Sequence, residues 1–218
     1  MSEDATPVTP AHIAYLRART EPEGQFLADL RAAARDSGIP SISVAPEQGS
    51  FLRTLVRLSR AKRVVEVGTL SGYSALWMAG GLGSDGSLLT IEKHPRHAAF
   101  AREWAAKSPW SERVTVMEGG GSEVLATLPS SSVDGMFLDA DKGGYLSYVN
   151  EAYRILKPGG WIAVDNAFAF GELFAEIPRD RETPAVRAFN DAFAADRRFS
   201  GVIVPMGDGF WLATRCDP

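Results

Sequence analysis

Three short stretches of this chain carry oxygen donors at places where a ligand could use them. They are Leu138-Asp139-Ala140-Asp141-Lys142, Val164-Asp165-Asn166, and Glu92 at the end of Leu88–Ile91. Asp139, Asp165 and Asn166 offer only oxygen, which suits Mg²⁺ or Ca²⁺ better than zinc. Magnesium takes about six oxygens, so three protein donors would leave places for a substrate and water. The alternative is that these strand-end aspartates cap the helices that follow. Glu92 lies 26 positions after Glu66, close to the roughly 20 found within nucleotide-binding units. An acid there can accept hydrogen bonds from both hydroxyls of a ribose. It could also be a solvated residue at a strand end. A fourth stretch, Val64-Val65-Glu66-Val67-Gly68-Thr69-Leu70-Ser71-Gly72-Tyr73-Ser74, runs from an apolar strand through glycines into a helix. Glycine lets backbone approach a ligand closely, and a helix start offers unpaired N–H groups. The spacing is GxxxG rather than the GxGxxG of dinucleotide sites. A plain strand-to-helix turn would look the same.

The elements that must carry these groups alternate. Apolar runs Val64–Val67, Leu88–Ile91, Val114–Met117, Val133–Leu138 and Trp161–Val164 are separated by helical stretches Tyr73–Leu82, Pro95–Lys107, Ser122–Leu128 and Tyr145–Leu156. That order predicts a doubly wound α/β fold, a mostly parallel sheet with helices on both faces. Its ligands should bind at the carboxyl ends of the strands, where Asp139, Asp165 and Asn166 converge. Lys157-Pro158-Gly159-Gly160 reads as a helix stop and turn. Phe199–Pro205 and Phe210–Thr214, joined by Met206-Gly207-Asp208-Gly209, read as a terminal antiparallel hairpin.

Upstream, residues 1–10 read as a loose arm, and His12–Ser37 as two helices broken at Glu21-Pro22-Glu23-Gly24. Gly38–Glu47 reads as a loop, and Phe51, Leu52, Leu55, Val56 and Leu58 mark a further helix. One domain over 1–218 is expected, with the arm and helices of about 1–60 preceding an α/β core of about 61–218.

Composition limits the partners. The 218 residues are 45% apolar and 23% charged, an ordinary globular balance. Lys and Arg number 23 against 27 Asp and Glu, a net charge of −4. That balance argues against a strong non-specific grip on nucleic acid or an anionic membrane. The single cysteine, Cys216, excludes an intrachain disulfide. The first twenty residues carry Glu3, Asp4, Arg17 and Arg19, so no signal peptide is expected. No apolar run reaches the roughly 18 residues of a membrane span. A soluble, cytoplasmic protein is expected.

Together the four stretches resemble the metal-dependent class I O-methyltransferases, the group of catechol and caffeoyl-CoA O-methyltransferases and their bacterial relatives. Val44-Ala45-Pro46-Glu47-Gln48-Gly49 also looks like the segment that precedes the cofactor motif in that family. The resemblance implies a Rossmann-like sheet of seven strands with the last antiparallel. It implies S-adenosylmethionine as cofactor, with Glu66, Gly68, Thr69 and Ser74 at its methionine end, Glu92 at its ribose, Val44 lining the pocket and Gly121 near the adenine. The metal ligands fall on Asp139, Asp165 and Asn166, with Asp139 also bordering the cofactor, and the catalytic lysine falls on Lys142. The implied acceptor is a catechol-like vicinal dihydroxy aromatic or its acyl-CoA ester, and the implied assembly a homodimer. Two rival readings are an NAD-dependent oxidoreductase, which the glycine spacing disfavours, and a non-catalytic binder of the same cofactor, which intact Asp139, Lys142, Asp165 and Asn166 disfavour. Gly143-Gly144, Gly119-Gly120-Gly121 and the aromatic stretch Ala167-Phe168-Ala169-Phe170 depart from the usual pattern. The phenylalanines could line an acceptor pocket or pack in the core. His12, His94 and His97 fit no motif and read as surface or structural residues.

Overall fold

A computed structural model describes residues 8–216. Seven strands form one sheet: β1 (Arg63–Val67), β2 (Ser87–Glu92), β3 (Val114–Glu118), β4 (Val133–Leu138), β5 (Leu156–Val164), β6 (Phe199–Val204) and β7 (Phe210–Arg215). Their order is β3-β2-β1-β4-β5-β7-β6. The first five are mutually parallel, and β7 runs antiparallel to both β5 and β6. The expected doubly wound sheet with a terminal hairpin is therefore present.

The apolar strands read as continuous because both faces of the sheet are covered, and alternate side chains serve opposite layers. Val65, Met136, Leu138, Ile162 and Val164 pack with α6 (Gly121–Thr127), α7 (Tyr145–Ile155) and α8 (Thr183–Ala195). Val64, Phe137, Ala163 and Phe210 pack on the other face with α2 (Gln25–Asp36), α3 (Pro46–Leu58) and α4 (Tyr73–Ala79). α5 (Pro95–Lys107) joins this second layer through Trp104, whose ring meets Phe26 edge-on at 5.4 Å. Among the described residues no helix is long and apolar enough to cross a membrane.

Several boundaries differ from expectation. Residues 1–7 of the expected arm lie outside the described residues, and α1 (Pro10–Arg17) already begins at Pro10. α3 starts at Pro46, inside the expected loop. Proline suits the first helical turn, and Gln48 Oε1 accepts the Ala45 N–H at 2.8 Å, which caps the helix. β5 begins at Leu156 rather than Trp161. Leu156 pairs with Val133 and Trp161 with Gly135, so the Lys-Pro-Gly-Gly turn bulges out from within the strand, with Gly159 at φ +72°. α8 is an element the sequence reading did not anticipate. Its buried Val186, Phe189 and Phe193 recur at helical spacing, and Pro184 stands in its first turn.

Candidate functional site

A cavity of about 590 Å³ opens along the carboxyl ends of β1, β2, β3, β4 and β5. The strand-to-helix turn after β1 forms its floor. Gly68 there has φ +102°, and a Cβ on it would overlap the carbonyl oxygen of Asp139. Only glycine lets these two chain crossings touch. Gly72, at φ +88°, starts α4. Val44, Gly68, Thr69, Ser74, Glu92, Gly121, Asp139, Lys142 and Asn166 all line the cavity. Glu66 and Asp165 do not belong to its wall.

Glu92 is held by two backbone donors. Leu70 N–H gives a hydrogen bond to Oε2 and His94 N–H one to Oε1, each at 2.8 Å. The carboxylate is thus fixed at the rim, and each oxygen keeps a lone pair for a ligand. His97 was expected to be surface or structural, yet it lines the cavity, with Nδ1 3.9 Å from Glu92 Oε1. Burial holds its pKa below the ordinary 6.5. Its place one turn into α5, facing the end of β2, has no motif to announce it.

Glu66 lies wholly buried beneath the turn. Ser74 Oγ–H donates to its Oε1 at 2.5 Å, and Thr90 Oγ1 meets its Oε2 at 2.5 Å. Thr90 Oγ1 is in turn 2.5 Å from Thr69 Oγ1, on the cavity floor. Burial pushes the Glu66 carboxyl up to about 8, against the opposing effect of both hydroxyl bonds. Glu66 therefore reaches the cavity only through Thr69 and Ser74.

At the other end, Lys142 is 5% exposed. Its Nζ–H groups donate to Tyr145 Oη at 2.7 Å and Asp139 Oδ1 at 3.1 Å. Tyr145 Oη–H reaches the backbone oxygen of Asp165 at 3.4 Å. Burial, and then the charges of Asp139 and Asp165, hold the Tyr145 phenol well above the ordinary 10.0. It stays a neutral prop for the lysine. Asp165 Oδ1 accepts the Asn166 N–H at 2.8 Å and Gln48 Nε2–H at 3.4 Å. Burial, and then the Asp139 charge, raise its carboxyl to about 8. Asp139, Asp165 and the Asn166 amide oxygen are all oxygen donors, the kind a hard divalent cation takes. Among the described residues no group of three or more His, Cys, Asp or Glu is placed to hold a metal. Phe170, 41% exposed, lines the cavity with its ring 5.9 Å from Lys142 Nζ. Phe168 turns away to pack against Gly209.

Against known proteins, the family model described as O-methyltransferase matches residues 17–216. The chain belongs to the O-methyltransferase family. A catechol O-methyltransferase of Niastella koreensis is 35% identical to this O-methyltransferase over 174 residues, covering 78% of this chain and 79% of the relative. A solved O-methyltransferase from Bacillus cereus, in complex with SAH, is 30% identical with a TM-score of 0.85, covering 94% of this chain and 97% of that one. A second, from Streptomyces achromogenes in complex with SAM and involved in tomaymycin synthesis, is 29% identical with a TM-score of 0.84, covering 94% and 95%. In this O-methyltransferase the acidic and amide donors and the buried lysine lie over β4 and β5, while the glycine turn and Glu92 lie over β1 and β2.

Proposed function

We propose that this enzyme transfers the methyl group of S-adenosylmethionine to one hydroxyl of a catechol-like, vicinal dihydroxy aromatic or its acyl-CoA ester, with Mg²⁺ or Ca²⁺ held by Asp139, Asp165 and Asn166. The observation that carries the reading is the buried Lys142 beside Asp139, at the opposite end of one cavity from the fixed carboxylate of Glu92. The bound cofactor of the two solved relatives and the printed name of the Niastella relative support it.

Each residue then has a role. Glu92 accepts the two ribose hydroxyls, with its oxygens already aimed by Leu70 and His94 N–H. Gly68 lets the methionine end of the cofactor lie against backbone, and Thr69 and Ser74 offer hydroxyls there. Val44 walls the same space, and Gly121 leaves room near the adenine. The cation, when bound, supplies Lewis-acid polarisation of the acceptor hydroxyls. Lys142 Nζ receives the proton of the hydroxyl that is methylated, and Tyr145 keeps that nitrogen in place. Phe170 offers a ring edge or face to the aromatic acceptor. Most of the rate enhancement in such a site comes from positioning and fixed charges.

The test is methyl transfer to catechol and to a catecholic acyl-CoA ester, with and without chelator. Activity lost in EDTA and restored by Mg²⁺ is the expected result. Full activity in EDTA would overturn the metal part. Absence of transfer to either acceptor class would overturn the substrate part.

A further inference from the structure

We infer that Asp208, in the β6–β7 turn, is a positioning residue that fixes which end of the Asn166 amide faces the cavity. The inference rests on the metal-dependent reading above and adds a residue to it.

The Asp208 carboxylate collects three donors from one segment. Its Oδ2 accepts Asn166 Nδ2–H at 3.1 Å and Phe170 N–H at 2.7 Å, and its Oδ1 accepts Gly171 N–H at 3.1 Å. The turn backbone adds two more bonds: Phe168 N–H to the Asp208 oxygen at 2.8 Å and Ala167 N–H to the Gly209 oxygen at 2.9 Å. The segment so held contains three non-glycine residues in the left-handed region, Asn166 at φ +68°, Ala169 at +53° and Phe170 at +60°. Such backbone persists only where its surroundings over-determine it. The turn itself has no slack. A Cβ on Gly209 would stand 2.9 Å from the Phe168 ring, and one on Gly207 would overlap the Gln48 amide, which also bonds Asp165.

The chemistry of the amide gives this clamp its meaning. An asparagine side chain has a donor end and an acceptor end, and only the oxygen can bind a cation. A carboxylate accepts and never donates, so Asp208 takes the Nδ2 end and leaves Oδ1 for the site. A hydroxyl or amide in its place would tolerate either orientation. The same carboxylate holds the Phe170 backbone, so the acceptor-facing ring and the metal-facing amide are set together.

The experiment uses the full chain with SAH present, wild type against Asp208→Asn and Asp208→Ala. Mn²⁺ affinity is read from the electron paramagnetic resonance of free Mn²⁺, SAH affinity by calorimetry, and loop order by hydrogen exchange over residues 167–171. Asp208→Asn keeps the shape of the turn, so it remains informative if Asp208→Ala unfolds. Both variants are expected to weaken Mn²⁺ binding about 10–100-fold, the range for outer-sphere partners of metal ligands. Exchange over 167–171 should quicken while SAH affinity stays at the wild-type value. Equal, measurable Mn²⁺ affinities in wild type and Asp208→Asn would overturn the inference and leave the metal reading standing. Parallel loss of Mn²⁺ and SAH binding would also overturn it, since that marks general disruption. A wild type that binds no Mn²⁺ would overturn the metal reading itself, and this inference with it.

Discussion

Replacing Glu66 with glutamine should make the protein more stable than the wild type, and increasingly so as pH rises from about 5 to 8. Glu66 is fully buried, and its carboxyl is held at about 8 rather than the ordinary 4.5. A group whose folded pKa is raised stabilises the fold below its unfolded pKa, and that contribution is lost as pH climbs through the folded value. At about 1.4 kcal/mol per pH decade, the interval from 4.5 to about 8 caps the loss at about 5 kcal/mol. That is a large share of the roughly 5–15 kcal/mol that holds a domain together. The amide introduced by Glu66→Gln does not titrate, and it copies the protonated acid. Its Nε2–H can donate to Thr90 Oγ1 while its Oε1 accepts from Ser74, in place of the present bonds. Asp165, also raised to about 8, is common to both proteins and cancels in the comparison. Urea denaturation of both at pH 5, 6.5 and 8 gives the stabilities. The gap should widen by a few kcal/mol over that range, within the ceiling above. Parallel stability profiles would show that Glu66 does not hold a proton in the folded state, and that burial does not govern its charge.

The other predictions concern the cavity. Lys142→Ala should lower turnover by about 10²–10⁴-fold, the usual cost of removing a general base, with cofactor affinity in calorimetry unchanged. Tyr145→Phe, which takes away the 2.7 Å bond to Lys142 Nζ, should lower kcat and shift the acidic limb of the pH–rate profile, which a general base controls, with KM for the cofactor unmoved. An unshifted profile would remove Tyr145 from the account. Glu92→Ala should weaken cofactor binding by about 1–3 kcal/mol by calorimetry, since two charge-assisted bonds go. Asp165→Ala should cut methyl transfer by more than the roughly 100-fold upper range for outer-sphere partners, with only partial rescue by excess Mg²⁺. Wild-type activity in that variant would assign Asp165 to structure alone.

What could be read from the sequence was whatever announces itself locally. Val64–Val67 and Val133–Leu138 are mostly apolar runs because helices cover both faces, and Asp139 follows directly on the second. Gly68 and Gly72 mark a turn that tolerates no side chain at its tightest point. Contacts made across the chain had no such signal. Asp208 lies 42 positions from Asn166, and nothing in Met206-Gly207-Asp208-Gly209 distinguishes a working carboxylate from a turn former. Gln48 reaches Asp165 over 117 positions. Tyr145 stands three positions from Lys142, but its phenol matters only because α7 turns it inward. Glu66 stands in the readable motif, but its buried bonds to Ser74 and Thr90 cross between elements and carry no local signal. α8 carried a readable apolar stripe in Val186, Phe189 and Phe193, but no strand-end motif or glycine turn drew attention to it.

The reversed direction of β7 has a consequence for how the two flanks of the cavity are held. Five parallel strands end at the cavity edge and must leave it through a helix. β7 instead begins there, with Trp211 paired to Val164, so the short link from β6 arrives at the cavity with no helix attached. Free of a helix, this link, with Asp208 between its two flanking glycines, holds the 166–171 segment. It borders the donor side of the sheet over β4 and β5, at a distance of several strands from the glycine turn and Glu92. One flank of the cavity is therefore braced by a strand-to-strand turn, while the other, at the glycine turn and Glu92, is built from strand-to-helix connections.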